Sequence, residues 1–137
     1  MNIVIQAYDN FNMEQILQLY NSVGWTNYTN NPSMLEAAIK HSFKTLAAFD
    51  GDRLVGLIRA VGDGYSVMYI QDIIVSPAYQ RKGIGKMLIR ELDTLYPHVY
   101  QKVLLTDNQP HAIHFYQRCG FALSDNVHCV AFVKFSF

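Results

Sequence analysis

The residues with the clearest chemical potential stand in one run, Ile70-Gln71-Asp72-Ile73-Ile74-Val75-Ser76-Pro77-Ala78-Tyr79-Gln80-Arg81-Lys82-Gly83-Ile84-Gly85-Lys86. An apolar strand leads through a basic turn with two glycines into the start of a helix. The first turn of a helix offers unpaired N–H groups and a partial positive charge. Glycines remove the Cβ atoms that would hold an anion away from that backbone. Successive amides then converge on one anion, and Arg81, Lys82 and Lys86 add full charges. The chemistry to expect is the binding of a diphosphate. A bare Gly-x-Gly fits equally a relaxed strand-to-helix turn with a solvated basic flank. The dinucleotide fingerprint requires a third glycine where Leu88 stands, and the ATP-type P-loop requires a Gly-Lys-Ser/Thr ending that is absent.

A second run, Thr106-Asp107-Asn108-Gln109-Pro110-His111-Ala112-Ile113-His114-Phe115-Tyr116-Gln117-Arg118-Cys119-Gly120-Phe121, gathers amides, histidines, a phenol and a thiol. His111 and His114 share a helix face, but no carboxylate or thiolate partner is indicated, so they read as surface residues and no metal is expected. Cys119, beside Gly120 at a helix end, reads as a small packing residue.

The elements that position these runs follow from periodicity. Asn2 to Tyr8 alternates as a strand. Asn12 to Val23 reads as a helix with Met13, Ile16, Leu17 and Tyr20 on one face, stopped by Gly24. Ser33 with Glu36 fits a capping box for a second helix, whose apolar face is Leu35, Ala38, Ile39 and Phe43. Thr45–Phe49 and Arg53–Val61 form a hairpin about Asp50-Gly51-Asp52. A turn at Gly62-Asp63-Gly64 leads into a strand over Tyr65–Val75. Gly83–Tyr96 is a helix with a buried stripe of Ile84, Met87, Leu88, Leu92 and Leu95. Lys102–Thr106 is a strand, Pro110–Cys119 a helix, and His128–Phe135 a last strand. The order β-α-α-β-β-β-α-β-α-β is that of an α+β (mixed α/β) fold, not a regular alternating one.

The chain of 137 residues suits one domain, and its apolar half is ample for a packed core. Eleven basic residues balance eleven acidic ones, so no global charge draws it to nucleic acid or an anionic membrane. No run is long and apolar enough to span a bilayer, and Met1 to Tyr8 lacks the form of a signal peptide. Cys119 and Cys129 read as reduced thiols in a cytoplasmic protein.

Gln80-Arg81-Lys82-Gly83-Ile84-Gly85 resembles the Gln/Arg-x-x-Gly-x-Gly/Ala pattern of the GNAT superfamily of N-acetyltransferases. The distal run resembles that superfamily's Asn-x-x-Ala-x-x-x-Tyr-x-x-x-Gly-Phe signature through Ala112, Tyr116, Gly120 and Phe121. Its Asn position falls on Gln109, with Asn108 one residue earlier. The resemblance implies a single domain over residues 1–137, a three-layer fold with a mixed, mostly antiparallel central sheet flanked by helices, and acetyl-CoA as donor. It implies that the turn amides, with Gln80, Arg81, Lys82, Gly83, Ile84, Gly85 and Lys86, hold the diphosphate of acetyl-CoA. The backbone of Ile73, Ile74 and Val75 would pair with the pantetheine arm as an added strand does. Asn108 and Gln109 would supply an amide to the cofactor. Tyr116 would protonate or stabilise the departing thiolate, and a backbone N–H near Val75 would stabilise the oxyanion. Asp72, three residues before Val75, is the candidate base for the amine.

Val23-Gly24-Trp25, Asp72-Ile73-Ile74-Val75 and Asp107-Asn108 also resemble a subgroup that includes plant-type serotonin N-acetyltransferases. Trp25, Tyr28 and Tyr65 would then line the pocket of a small primary amine. The competing readings are acetylation of a protein lysine or N-terminus, which the lack of an acidic run disfavours, and a non-catalytic acyl-CoA sensor on the same fold. A homodimer through the C-terminal Phe135-Ser136-Phe137 is a further expectation.

Overall fold

The computed structural model describes residues 1–136, in two compact units, Met1–Leu105 and Thr106 onward. The first contains β1 (Ile3–Ala7), α1 (Met13–Ser22), α2 (Thr26–Thr29), α3 (Pro32–Lys40), β2 (Lys44–Asp50), β3 (Arg53–Gly62), β4 (Val67–Val75), a 3₁₀ turn at Pro77–Tyr79, α4 (Ile84–Leu95) and β5 (Gln101–Leu104). The second contains α5 (Pro110–Arg118) and a 3₁₀ turn at Ser124–Val127. The sheet runs β1-β2-β3-β4-β5 and is antiparallel throughout except for the parallel pair β4–β5. This is the mixed, mostly antiparallel α+β arrangement expected.

β3 explains why helices cover both faces of this sheet. All seven residues from Leu54 to Ala60 are buried, the pattern of a strand with no solvent face. On one side Leu57, Ala47 and Ile74 join Ile16, Leu19 and Tyr20 of α1 and Leu35 and Ile39 of α3 in one core. On the other, Gly56 brings α4 close: a Cβ there would stand 3.2 Å from Ile84 Cγ2 and 3.2 Å from the Ile74 carbonyl oxygen. A larger residue at 56 would push α4 off the sheet.

Several sequence expectations change. α3 is capped by Asn31, whose side chain accepts from the Met34 amide at 3.4 Å, rather than by Ser33. Pro32 takes the first helical position, which its fixed φ favours, and the helix starts before the Ser33–Glu36 pair. α2 is an unexpected single turn, too short to show a period. β4 starts at Val67 because the Asp63 carboxylate accepts from the amides of Tyr65, Ser66 and Val67, holding those residues in the turn. The buried stripe of α4 is Ile84, Leu88, Ile89 and Leu92, while Met87 and Leu95 are exposed. The stripe is therefore rotated toward Ile89. The last strand is absent: among the described residues, those from His128 onward join no sheet, and Val130 and Phe132 are exposed. Their β-rich composition has no paired edge to satisfy it, and composition alone does not make a strand. Phe137 lies outside the described residues. No helix among them is long and apolar enough to cross a membrane.

Candidate active site

β4 is paired unequally along its length. β3 accompanies it from Met68 to Val75, but β5 pairs only with Val67–Ile70. From Gln71 to Val75 no strand among the described residues lies on the other edge. Ile73 and Val75 are half-buried and Ile74 is buried beneath them. At the strand's end the Ser76 amide donates to the Val55 carbonyl at 2.8 Å. Val55 is the extra residue of a β-bulge in β3, where Ala48 pairs Gly56 and Phe49 pairs Leu54.

The 3₁₀ turn after β4 is pinned by Tyr79, whose hydroxyl donates to Asp50 at 2.6 Å while Arg53 stacks 5.3 Å over its ring. The hydrogen bond keeps the Asp50 carboxyl below its usual range and pushes the Tyr79 phenol up. Beyond it Arg81 (φ 63°) and Gly83 (φ 83°) both adopt the left-handed conformation. Two such residues so close turn successive amides toward one side, the geometry of an anion nest. Gly83 is the N-cap of α4. No side chain caps this helix and no acid stands in its first turn, so its orphan donors face outward unneutralised. A Cβ on Gly83 would meet nothing within 4 Å. Arg81, Lys82 and Gln80 are exposed, Lys86 is half-buried, and Gln80 donates its side-chain amide to the Val75 carbonyl at 3.0 Å. Ile84 is buried, so only its backbone is available at the turn.

Asp72 is only 2% exposed, in the middle of the half-open strand. Its Oδ2 accepts from the Tyr20 hydroxyl at 2.7 Å and from Arg59 Nε at 2.8 Å, and forms an ion pair with a terminal guanidinium nitrogen of Arg59 at 2.8 Å. Its Oδ1 accepts from the Tyr28 hydroxyl at 3.2 Å. Arg59, itself buried on β3 directly opposite Asp72, also donates to the Ser42 hydroxyl at 3.2 Å and the Tyr28 hydroxyl at 3.3 Å. Burial works against the guanidinium charge, and the adjoining Asp72 carboxylate together with Tyr20 and Tyr28 more than offsets it. Burial, then the Asp72 charge, push the phenols of Tyr20 and Tyr28 upward.

Trp25 and Tyr28 are both half-buried, with ring centroids 6.3 Å apart, and each packs edge-on against Tyr20. Tyr65 does not join them. It is 78% exposed in the turn before β4, at the opposite end of that strand from Val75, and its ring neighbours His98.

In the second unit Tyr116 is half-buried, its ring edge-on to Phe115 and Phe121. Burial pushes its phenol up to about 12, against a lowering hydrogen bond from Thr106. Gln109 is the N-cap of α5 without a side-chain capping bond, and Asn108 and Gln109 are both exposed. His111 and His114 are exposed, and no group of three metal-binding side chains exists among the described residues.

Arg59 and Tyr20 are the site members that the sequence reading missed. The signal was present: Arg59 is the sole charge in the apolar run Leu54–Val61, and Asp72 the sole charge in Val67–Val75. Two lone opposite charges in two neighbouring buried strands predict each other, because neither is tolerated unpaired.

Comparison with known proteins points to one family. The sequence model of the Acetyltransferase (GNAT) family matches residues 10–121. An uncharacterized N-acetyltransferase, ycf52, of Porphyra purpurea is 29% identical over 117 residues, covering 82% of this chain and 66% of its own length. A soybean (Glycine max) protein named histone acetyltransferase TAP1 is 30% identical over 133 residues, covering 87% of this chain and 55% of its own length. The chain thus spans between half and two thirds of these curated relatives. Among solved structures, a GNAT family acetyltransferase of Streptococcus pneumoniae TIGR4 superposes with a TM-score of 0.89 at 39% identity, covering 98% of each chain. The chain belongs to the GNAT acetyltransferase family, whose members take their acetyl group from acetyl-CoA.

Proposed function

We propose that this chain acts, across both its units as one domain, by transferring the acetyl group of acetyl-CoA to the primary amine of a small molecule in a ternary complex. The observation that carries the reading is the half-open β4 running straight into the Arg81–Gly85 nest. The diphosphate is held by the amides of residues 81–85, with Arg81, Lys82 and Lys86 supplying charge. The pantetheine arm runs back along the free edge of Ile73–Val75, adding a strand where the protein supplies none. Five open residues span about 17 Å, so the thioester end lies toward Gln71 and Asp72. Gln80 holds the strand exit, and Asn108 and Gln109 supply amide contacts.

Acetyl-CoA supplies the activated carbonyl. A backbone N–H at the Gln71–Asp72 end of the open half of β4 stabilises the oxyanion, Asp72 is the carboxylate that takes up the amine proton, and Tyr116 donates to the departing thiolate. A phenol whose pKa is about 12 stays protonated while amines of ordinary basicity lose their proton, so Tyr116 remains a donor through the alkaline range. Trp25 and Tyr28 form the apolar wall of the acceptor pocket. Tyr65, remote from them on the same unit, is left out. We place the protein in the cytoplasm, where its two thiols stay reduced, and keep the C-terminal segment, with Phe135 exposed like Val130 and Phe132 before it, as the homodimer contact.

A protein acceptor is the second reading, favoured by the name of the soybean relative. The test is turnover of acetyl-CoA over a panel of primary amines and lysine peptides, with Tyr116→Phe alongside. Small-amine turnover is expected, with kcat lowered about 100-fold in the variant and CoA affinity within about twofold. Turnover of peptides alone would select the second reading, and wild-type kcat in Tyr116→Phe would remove that phenol from the chemistry.

A further inference from the structure

Asp72 poses a problem for the transfer proposed above, on which this inference rests: a carboxylate 2% exposed cannot touch an amine. The geometry points to Tyr28 as the relay that carries the amine proton to Asp72 Oδ1.

The two oxygens of Asp72 are unequal. Oδ2 is crowded by three polar groups, the Tyr20 hydroxyl and two guanidinium nitrogens, all within 2.8 Å. Oδ1 receives one, the Tyr28 hydroxyl, at a longer 3.2 Å. A carboxylate oxygen with two lone pairs and one long contact is the place where a proton can land. Arg59 and Tyr20 hold Oδ2 and thereby fix which oxygen is available, which makes them positioning residues.

Every other route is closed. Tyr20 and Arg59 are themselves buried, at 0% and 4% exposure. Among the described residues, Tyr28 is the half-buried group whose hydroxyl touches Asp72 directly. On its outer side that hydroxyl accepts from the side chain of Gln71 at 3.2 Å, and Gln71 is exposed at the start of the open half of β4. A hydroxyl has one proton and two lone pairs. Here the proton is committed to Asp72, and the lone pairs face Arg59 and Gln71. A substrate N–H that displaces the Gln71 amide enters the position from which a proton passes inward.

The step balances as follows. As the amine nitrogen forms its bond to the thioester carbon, the carbonyl π pair moves onto oxygen, and the N–H bond breaks as its proton joins the Tyr28 oxygen. The Tyr28 O–H proton passes simultaneously to Asp72 Oδ1. The carboxylate becomes a carboxylic acid, and Tyr28 is neutral before and after. The oxyanion then collapses, the C–S bond breaks, and the CoA thiolate takes the Tyr116 proton, which Tyr116 regains from water. Once the products leave, the Asp72 proton returns to water by the same path reversed. A raised phenol suits this role, since it does not lose its proton to water between turnovers. Tyr20, Tyr28 and Arg59 face the carboxylate, and Tyr69 on the same strand also feels its charge.

The experiment is a double-variant cycle on the full chain, with acetyl-CoA and the fastest amine of the panel, phenethylamine serving as reference. Tyr28→Phe keeps the Arg59–Asp72 pair and the ring packing, and Asp72→Asn removes the final acceptor. Each is expected to lower kcat about 100-fold with CoA affinity unchanged, and the double variant to lose no more than about threefold beyond either alone. Proton inventory in H₂O–D₂O mixtures should show two protons in flight in the wild type and one in Tyr28→Phe. Wild-type kcat in Tyr28→Phe, or losses that multiply in the double variant, would overturn the relay. Should Asp72→Asn not fold, the inventory and kcat of Tyr28→Phe decide alone. Failure of wild-type protein to bind CoA or acetylate any amine would instead strike the transfer itself.

Discussion

Val67–Ile70 and Gln71–Val75 belong to one strand, run beside one antiparallel neighbour, and differ in what lies on the other edge. The first stretch is closed in by β5, and the second is not. The closed half carries apolar residues whose work ends with packing, with Met68 and Ile70 buried. The open half carries the only charge of the strand, the free backbone edge and the exit into the basic turn. An unpaired edge is ordinarily an aggregation liability. Five residues of it left beside an anion nest are tolerable because a ligand can complete the strand. On the reading proposed above, the four-residue length of β5 is a functional feature: a longer β5 would cover the edge along which the cofactor is proposed to lie.

The floor of the open half gives the largest expected effect. Arg59→Met leaves Asp72 buried without its cation, and unfolding in urea should report a loss of about 3–5 kcal/mol. Adding Asp72→Leu should restore most of that loss, because the uncompensated charge is gone. In the closed half Met68→Ala is expected to cost about 2–5 kcal/mol through its cavity, with no second substitution of a charge able to offset it. If Arg59→Met costs no more than an exposed substitution, the pair is not the buried anchor described.

This pair also marks how far the sequence could be read. The hairpin about Gly51, the α4 helix and the strand leading into Gly83 were legible because period and turn residues agree there. Asp72 was read as a candidate and Arg59 was overlooked, although each is a lone charge in a buried run, because a pairing thirteen residues apart shows only when the two strands are laid side by side. α2 was hidden by being a single turn, too short for a period to repeat, yet it supplies Tyr28. Tyr65 went astray for the opposite reason: aromatic type was visible, but its place depended on Asp63 holding three amides in a turn. His128–Phe135 has strand composition and no strand, because pairing is a property of two segments and not of one.

The nest at the end of the open half gives the next effect. Gly83→Glu places a carboxylate among unneutralised helix donors and the cations Arg81, Lys82 and Lys86, in the space a diphosphate would take. CoA affinity by calorimetry is expected to fall about 100-fold. Gly83→Ala separates charge from backbone strain. Its Cβ meets nothing, but φ at 83° is left-handed, so it should lose about 1 kcal/mol of stability and only a few-fold in affinity. Equal losses for the two variants would mean that the conformation of Gly83, and not access to the cradle, is what matters.

Hydrogen exchange addresses the comparison itself and carries the smallest effect. In any strand, successive amides point alternately to its two neighbours. In Val67–Ile70 both directions meet a strand, so those amides are protected with or without ligand. In Gln71–Val75 the amides directed away from β3 have no strand among the described residues to receive them, and they should exchange quickly in the free protein. If the pantetheine arm lies along that edge, CoA supplies the missing acceptors and slows those amides about tenfold or more, while the inner amides and the closed half barely change. Slowing spread evenly along β4 would mean general stabilisation by ligand rather than strand addition. No change beyond Gln71 would put the arm elsewhere, and with it the thioester that Tyr28 and Asp72 are proposed to serve.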